Sequence, residues 1–152
     1  MKTFTFDHIH YKSQDFTETK KFYIEVMGAT NLGDQILGKE GSRTPNLQLE
    51  LAGATLLFAK DAEASTKDTE ECGFPCNVPP WSTRHGVYHI AILVDDCDAA
   101  TEYFSNRAKE VYGEEKEIVA LDPFFAGENI RASFLEAPDG MAIELKQNLP
   151  PE

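Results

Sequence analysis

The sequence predicts an α+β protein built from two paired βαβββ modules that form a curved mixed sheet. The first observation behind this prediction is an internal repeat, in which a strand histidine, a capping acid and an aromatic pair recur after a fixed interval. With an offset of 81 residues, the matched positions are His8 and His89, Asp15 and Asp96, and Phe22-Tyr23 and Tyr103-Phe104. The second observation is that each half ends in two apolar strands joined by a glycine turn, at Leu49–Phe58 and Leu135–Leu145. From the turn onward the offset is 87 residues, so that Gly53 matches Gly140 and Leu57 matches Glu144.

The first module is predicted over residues 1–60. Its first strand has alternating side chains that put Phe4, Phe6, His8 and His10 on one face. Asp15 is a good N-cap for the helix that follows, and Gly28 is suited to end it. The predicted elements are the strand Phe4–Lys12, the helix Phe16–Met27, a short strand within Asn31–Gly41, a loop at Arg43–Asn46, and the strands Leu47–Ala52 and Ala54–Lys60.

Residues 61–86 interrupt the pattern and are predicted to be a linker or flap, because they are polar, acidic and proline-containing. The second module, over residues 87–147, repeats the order of the first. Its predicted elements are the strand Val87–Val94, the helix Ala99–Lys109, the strand Lys116–Ala120, the loop Leu121–Glu128, and the strands Asn129–Glu136 and Met141–Lys146. The two modules together are expected to make one domain.

Composition narrows the classes of function. The formal net charge of −12 over 152 residues argues against nucleic-acid binding and mildly favours a cationic ligand. No stretch has the roughly 20 apolar residues of a membrane span, and the first residues, MKTFTFDHIHY, lack the continuous apolar core of a signal peptide and follow a strand pattern instead. Three cysteines make a disulfide framework improbable, which suits a reducing compartment. The sequence therefore predicts a cytoplasmic protein with a small-molecule substrate and neither nucleic-acid nor membrane partners.

Three residues stand out as candidate metal ligands. His8 and His89 occupy matched positions in the two modules, on strand faces turned away from the predicted helices. Glu144 lies on the equivalent face of the last strand, between two apolar neighbours, and a carboxylate there needs a cation, a metal or water. If the two sheets enclose a central cup, all three point inward. Two imidazoles and one carboxylate form a facial triad that suits Fe(II), Mn, Ni, Co or Zn.

These modules resemble the vicinal oxygen chelate superfamily, which includes glyoxalase I, bleomycin-resistance proteins and extradiol dioxygenases. The resemblance rests on the motifs D-H-I, Y-H-I-A-I-L-V-D-D and P-D-G-M-A-I-E-L, and extends over residues 4–147. It implies a substrate that chelates a divalent metal through neighbouring oxygens, with His8, His89 and Glu144 as the metal ligands. A homodimer is expected because modules of this size commonly pair, and the site could be completed either within one chain or by strand exchange in the dimer.

One departure from the family bears on the reaction. Glyoxalase I and its epimerase relatives take a fourth ligand from the last strand of the first module, where this chain has Leu57. A missing fourth ligand is similar to the extradiol dioxygenases. Gln48 or Glu50, on the neighbouring strand, could intrude as a ligand or base. His10 is a candidate ligand or acid–base group, and His85, in the linker, a candidate mobile acid or base.

Three hypotheses follow for the function. The preferred one is an extradiol-type dioxygenase that uses Fe(II), with His10, His85 and Glu50 as candidate catalytic residues. The second is an isomerase or lyase of the lactoylglutathione-lyase or epimerase type, in which the metal stabilises an enediolate and Glu144 or Glu50 moves the proton. The third is a metal-free resistance protein that sequesters a cationic drug.

Overall fold

A computed structural model describes residues 5–37, 44–60 and 89–150. The chain forms two compact units, Met1–Ala64 and Ser65–Glu152. The described residues of each unit form one four-stranded mixed sheet and one helical segment, so the fold class is α+β as predicted. The predicted linker over residues 61–86 lies outside the described residues.

The first unit is a βαβββ module. Its elements are β1 (His8–Ser13), α1 (Phe16–Lys20) with a π-helical continuation (Lys21–Val26), β2 (Thr30–Leu37), β3 (Thr44–Leu51) and β4 (Ala54–Lys60). The strand order is β1-β4-β3-β2, with β1 parallel to β4 and the other pairs antiparallel. Asp15 caps α1 as predicted, because its carboxylate accepts hydrogen bonds from the backbone of Thr17 and Glu18.

Aromatic side chains hold the helical segment against the first sheet. The ring of Tyr23 lies 5.1 Å from that of Phe58, which in turn lies 5.5 Å from Tyr11. Phe22, Tyr23 and Phe58 are fully buried, so they form the centre of this core. Burial of these residues fixes which face of the sheet carries the helix and leaves His8 and His10 on the other face.

The second unit repeats the same topology. Its elements are β5 (Ile90–Leu93), α2 (Cys97–Tyr112), β6 (Val119–Gly127), β7 (Ile130–Glu136) and β8 (Ala142–Asn148). The strand order is β5-β8-β7-β6, with β5 parallel to β8. Asp96 caps α2 as predicted, and the buried Thr101 of that helix hydrogen-bonds Ser133 of β7. The helix therefore covers the face that carries Ser133.

The two sheets share one register. In the first, His10 of β1 pairs with Leu57 of β4, and in the second, Ala91 of β5 pairs with Glu144 of β8. The offsets of 81 and 87 residues relate these pairs to each other, since 10 + 81 = 91 and 57 + 87 = 144. Leu57 thus occupies in the first sheet the place that Glu144 occupies in the second, as the sequence alignment of the modules predicts.

Two predictions of local structure are wrong. The first is the single α-helix over Phe16–Met27, because the segment is π-helical from Lys21 and Met27 N–H bonds the carbonyl of Phe22 five residues back. The wider turn lets the adjacent residues Phe22 and Tyr23 both face the core, where both side chains are fully buried.

The second is the placement of two loops. The predicted loop Leu121–Glu128 lies almost wholly in β6, and Thr44–Asn46 of the predicted loop at Arg43–Asn46 lies in β3. Pro123 is tolerated because β6 is an edge strand, and its pairing with β7 shifts register three times. Pro45 pairs with β2 but lies outside the β3–β4 ladder, which begins at Asn46. None of the helices in the described part of the chain is long and apolar enough to cross a bilayer.

Candidate functional site

His89 and Glu144 meet on the second sheet. His89 directly precedes β5, Glu144 is central in β8, and Nε2 of the imidazole lies 3.0 Å from Oε2 of the carboxylate. Only 13 % of the Glu144 side chain is exposed, so its polar atoms need partners within the protein or its ligands. Two ligands that bind an octahedral ion at about 2.1 Å lie about 3 Å apart, so this spacing suits a shared divalent metal.

The pair lies on the sheet face opposite α2, which we call the Glu144 face. Residues directly opposite each other on neighbouring strands share a face, and the register pairs Glu144 with Ala91 and Phe134, and Lys146 with Ala132. The same register puts Leu93 opposite Lys146 and Glu136 opposite Ala142, so the Glu144 face carries Ala91, Leu93, Ala132, Phe134, Glu136, Ala142, Glu144 and Lys146. Three of these side chains are alanines, which rise little above the sheet around the carboxylate.

Aromatic rings border the histidine on this face. The edge of one ring meets the other in the pair His89–Phe134, with centroids 5.4 Å apart and planes at 79°. Phe124 of β6 stacks on the outer side of Phe134 at 6.3 Å and 19°. Phe134 is buried, whereas 38 % of Phe124 is exposed, so Phe124 has surface available to a ligand. The rings also restrain the orientation of the His89 imidazole.

In the first unit His8 is held by its neighbour. Nδ1 of His8 lies 2.5 Å from Oδ2 of Asp7, so the carboxylate accepts a hydrogen bond from that nitrogen. A histidine that donates Nδ1–H to a carboxylate presents Nε2 as the free ligand nitrogen, which is the usual arrangement at metal sites. The local geometry of His8 therefore fits its predicted role as a metal ligand.

His10 lies beside His8, with the two ring centroids 5.8 Å apart. Its Nε2 is 3.0 Å from Oδ1 of Asn46, a buried side chain on β3. The amide of Asn46 donates through Nδ2 to the carbonyl of Thr44, so its Oδ1 must be the acceptor. Nε2 of His10 consequently carries the proton of this hydrogen bond, and Nδ1 is the nitrogen able to accept one.

The other candidates of the first sheet have defined contacts. Leu57 is buried and pairs with Gln48, whose Oε1 accepts a hydrogen bond from Gln35 at 2.5 Å. Glu50 lies in the row of His8, through the successive pairs His8–Thr55 and Thr55–Glu50. Its Oε1 accepts the backbone N–H of Gly53 at 2.6 Å, so Glu50 stabilises the turn between β3 and β4.

Arg131 and Asp98 form an ion pair on the helix-bearing face of the second sheet. The guanidinium donates from Nε at 2.9 Å and from Nη2 at 2.8 Å. These hydrogen bonds are the main reason that the pKa of Asp98 is lowered, and they raise the pKa of Arg131. Nearby, burial raises the pKa of the Cys97 thiol, although hydrogen bonds with Ser133 and Thr101 oppose the shift.

The structure brings His89 together with Glu144 in one unit and His8 together with His10 in the other. Within neither unit do the described residues gather three His, Cys, Asp or Glu side chains at metal-binding distance. The predicted His85 lies outside the described residues. The roles predicted for His8, His10, Glu50, His89 and Glu144 stay predictions.

Four residues around these sites escaped the sequence analysis, namely Asp7, Asn46, Phe134 and Lys146. A signal existed for Phe134, because counting outward from the Asp139-Gly140 turn pairs it with Glu144. Strand alternation places Lys146 on the face of Glu144 in the same way. Asn46 has no such signal in the sequence, because it falls in the predicted loop at Arg43–Asn46, where strand pairing and alternation do not apply.

Comparison with known proteins agrees with this architecture. The uncharacterized protein YaeR of Escherichia coli strain K12 is 26% identical over 138 residues, which are 91% of this chain and 92% of YaeR. A glyoxalase family protein from Enterococcus faecalis superposes with a TM-score of 0.63 at 20% identity, covering 93% of this chain and 96% of that one. A glyoxalase/bleomycin resistance protein/dioxygenase domain from Frankia sp. EAN1pec gives 0.66 at 14% identity, covering 99% and 96%.

A family model decides the assignment. The model of the Glyoxalase/Bleomycin resistance protein/Dioxygenase superfamily matches residues 5–145, nearly the whole chain. The two structural neighbours share the fold, and the match in sequence extends through both modules. The chain belongs to the Glyoxalase/Bleomycin resistance protein/Dioxygenase superfamily.

Proposed function

We propose that the protein binds one divalent metal ion through His8, His89 and Glu144 and acts as an extradiol-type dioxygenase on a substrate with two neighbouring oxygens. The observation that carries this proposal is the 3.0 Å approach of His89 Nε2 to Glu144 Oε2. Two donors on adjacent backbone segments of a rigid sheet are preorganised for a common ion. The Asp7–His8 hydrogen bond adds support, because it directs Nε2 of His8 outward as the third donor.

Leu57 favours the dioxygenase over the isomerase. Its side chain fills the position equivalent to Glu144 and has no donor atom, so three protein ligands remain and more coordination positions stay available. Fe(II) is the metal that such a site of two histidines and one carboxylate serves in oxygenases. When bound, it would supply a Lewis acid that also exchanges electrons with O₂.

The chain's own residues would prepare the substrate. His10 is proposed to accept a proton from the substrate diol at Nδ1, since Asn46 holds the other nitrogen in its protonated form. Phe134 and Phe124 exclude water on one side and offer a flat surface to a ring. The reaction breaks a carbon–carbon bond beside the diol, and both atoms of O₂ enter the product.

The test is oxygen uptake by protein loaded anaerobically with Fe(II) and mixed with catechol. Wild type should consume one O₂ per ring opened, and Glu144→Gln should lose both bound iron and activity. Glu136→Gln is the matched control, because Glu136 is an exposed carboxylate at the end of the neighbouring strand β7, opposite Ala142 and not opposite Glu144. Iron-loaded wild type that neither binds nor oxidises catechol would overturn the dioxygenase assignment.

Two other results would redirect the assignment. Solvent deuterium incorporated into a hemithioacetal or a 2-methyl acyl thioester would support the isomerase hypothesis instead. A wild-type protein that cannot be loaded with any of Fe, Mn, Ni, Co or Zn would support the metal-free drug-binding hypothesis.

A further inference from the structure

Lys146 is a cation on the same face as the candidate metal ligands. It follows Glu144 by two residues in β8, so the two side chains leave the sheet in the same direction about 7 Å apart along the strand. The side chain of Lys146 is half-buried. It is therefore close enough to contact a small molecule that is bound at His89 and Glu144.

Within the part of the chain that the structure describes, the ammonium of Lys146 has none of the partners that most of the other cations have. Most of the described lysines and arginines are engaged, for example Lys20 with Asp34, Lys109 with Glu117 and Arg131 with Asp98. Among the described residues, the side chain of Lys146 makes no hydrogen bond, ion pair or ring contact. The same is true of Lys60, but that residue is exposed, and water solvates it.

On the Glu144 face, Lys146 lies between Leu93 of β5 and Ala132 of β7. The register pairs Lys146 with Ala132 of β7 and Ala132 with Phe124 of β6. Lys146 and Phe124 thus belong to strands about 10 Å apart, and the side chain between them in the row is the methyl group of Ala132. A ring that chelates at His89 and Glu144 and extends along the strands would lie between Phe124 on one side and Lys146 on the other.

From this arrangement we propose that the substrate carries a carboxylate that pairs with Lys146, on the side of the ring away from the two chelating oxygens. This inference rests on the proposed function and adds the substrate's charge to it. In a protein of net charge −12, a half-buried cation beside the site is needed to attract an anionic substrate locally. Lys146 is then the residue that selects aromatic acids over neutral diols.

The test compares the affinities of catechol and 3,4-dihydroxybenzoate, which differ by one carboxylate, using anaerobic titration calorimetry of the Fe(II)-loaded protein. Wild type should bind the acid about tenfold more tightly, as expected of a charge-assisted hydrogen bond. Lys146→Gln should abolish this preference without weakening the binding of catechol. Lys60→Gln changes the net charge equally on the helix-bearing side of the first sheet and should leave the preference intact.

Charge reversal provides a second measurement. Lys146→Glu should prefer dopamine, a catechol with an amine, over 3,4-dihydroxybenzoate, whereas wild type should have the opposite order. The inference is overturned if wild type binds both catechols equally, or if Lys146→Gln keeps the preference for the acid. Failure of the proposed function has a different signature, since iron-loaded wild type would then bind neither compound.

Discussion

The imidazole of His89 faces the carboxylate of Glu144 across adjacent segments of one sheet, with Nε2 and Oε2 3.0 Å apart. The first sheet has the same register but no such pair, because Leu57 stands where Glu144 would. Duplicated modules have thus diverged at one strand position, with an acid in one and an apolar residue in the other. In the proposed metal site, this asymmetry would set the number of protein ligands at three.

Introducing a carboxylate at residue 57 of the first sheet tests that asymmetry. Leu57→Glu should raise the affinity for Mn(II) or Zn(II) by roughly tenfold or more, because a fourth protein donor becomes available. Without metal the same change should destabilise the fold by about 1–3 kcal/mol, since Leu57 is only 6 % exposed. Chelator competition measures the affinity, and melting curves with and without EDTA measure the stability.

The control for this change is Leu56→Glu, on the opposite face of β4. Leu56 is 1 % exposed in the core with Phe58, so its replacement should be destabilising whether or not metal is present. An unchanged metal affinity in a folded Leu57→Glu protein would show that this position does not face the metal.

The sequence predicted where the candidate residues lie on their sheets. The repeat and strand alternation put His8, His89 and Glu144 on the faces turned away from the helices, because both signals depend only on local spacing. The role of these residues as metal ligands stays a prediction. Asn46 could not be found in this way, since its contact with His10 spans strand β4, and Pro45 beside it indicated a loop. Long-range contacts across an intervening strand leave no periodic signal.

The turn between β3 and β4 contains a backbone conformation that its sequence does not favour. Ala52 has φ of 51° and Gly53 has φ of 82°, a pattern that suits Asn-Gly better than Ala-Gly. Ala52→Asn should therefore stabilise the protein by about 0.5–1 kcal/mol in urea denaturation. Gly53→Ala should have the opposite effect, and a destabilised Ala52→Asn protein would refute the argument.

The ion pair between Asp98 and Arg131 predicts a pH dependence of stability. Hydrogen bonds from Arg131 lower the pKa of Asp98 from its ordinary 3.8, so the folded state favours the ionised carboxylate. This contribution is present above pH 3.8 and is lost as the pH falls below that value through the pKa of the folded state.

Asp98→Asn should therefore lower the melting temperature at pH 6, and the difference from wild type should shrink as the pH is lowered past 3.8. Asp95→Asn serves as the control, because Asp95 is exposed beside the same helix and should show no such difference. If the difference in melting temperature between Asp98→Asn and wild type were independent of pH, the ion pair would not stabilise the fold.

Cys97 should react slowly in the folded protein. Burial raises the pKa of its thiol, and its Sγ donates to the carbonyl of Leu145 at 3.4 Å. Alkylation by iodoacetamide at pH 8 should be on the order of a hundredfold slower than in urea, because reaction requires local opening. Peptide mapping isolates the Cys97 signal, and equal rates in the two conditions would contradict the buried position of this thiol.

The fold was predicted less completely where tertiary context overrides local signals. Phe22 and Tyr23 indicated an α-helix, yet burial of both adjacent rings produces a π-helical segment. Pro123 indicated a loop, although an edge strand tolerates a residue without an N–H. The helix-bearing faces followed from the repeat, because each module buries the same apolar pattern.

The central claim is that His8, His89 and Glu144 hold one metal ion. The most direct measurement is metal content per chain by mass spectrometry, on untagged protein purified without chelator, for wild type and for the variants His8→Ala, His89→Ala and Glu144→Ala. We expect about one divalent ion per wild-type chain, and its loss from each variant while Glu136→Ala retains it. Wild type that stays empty after anaerobic loading, or variants that keep the ion, would contradict the account.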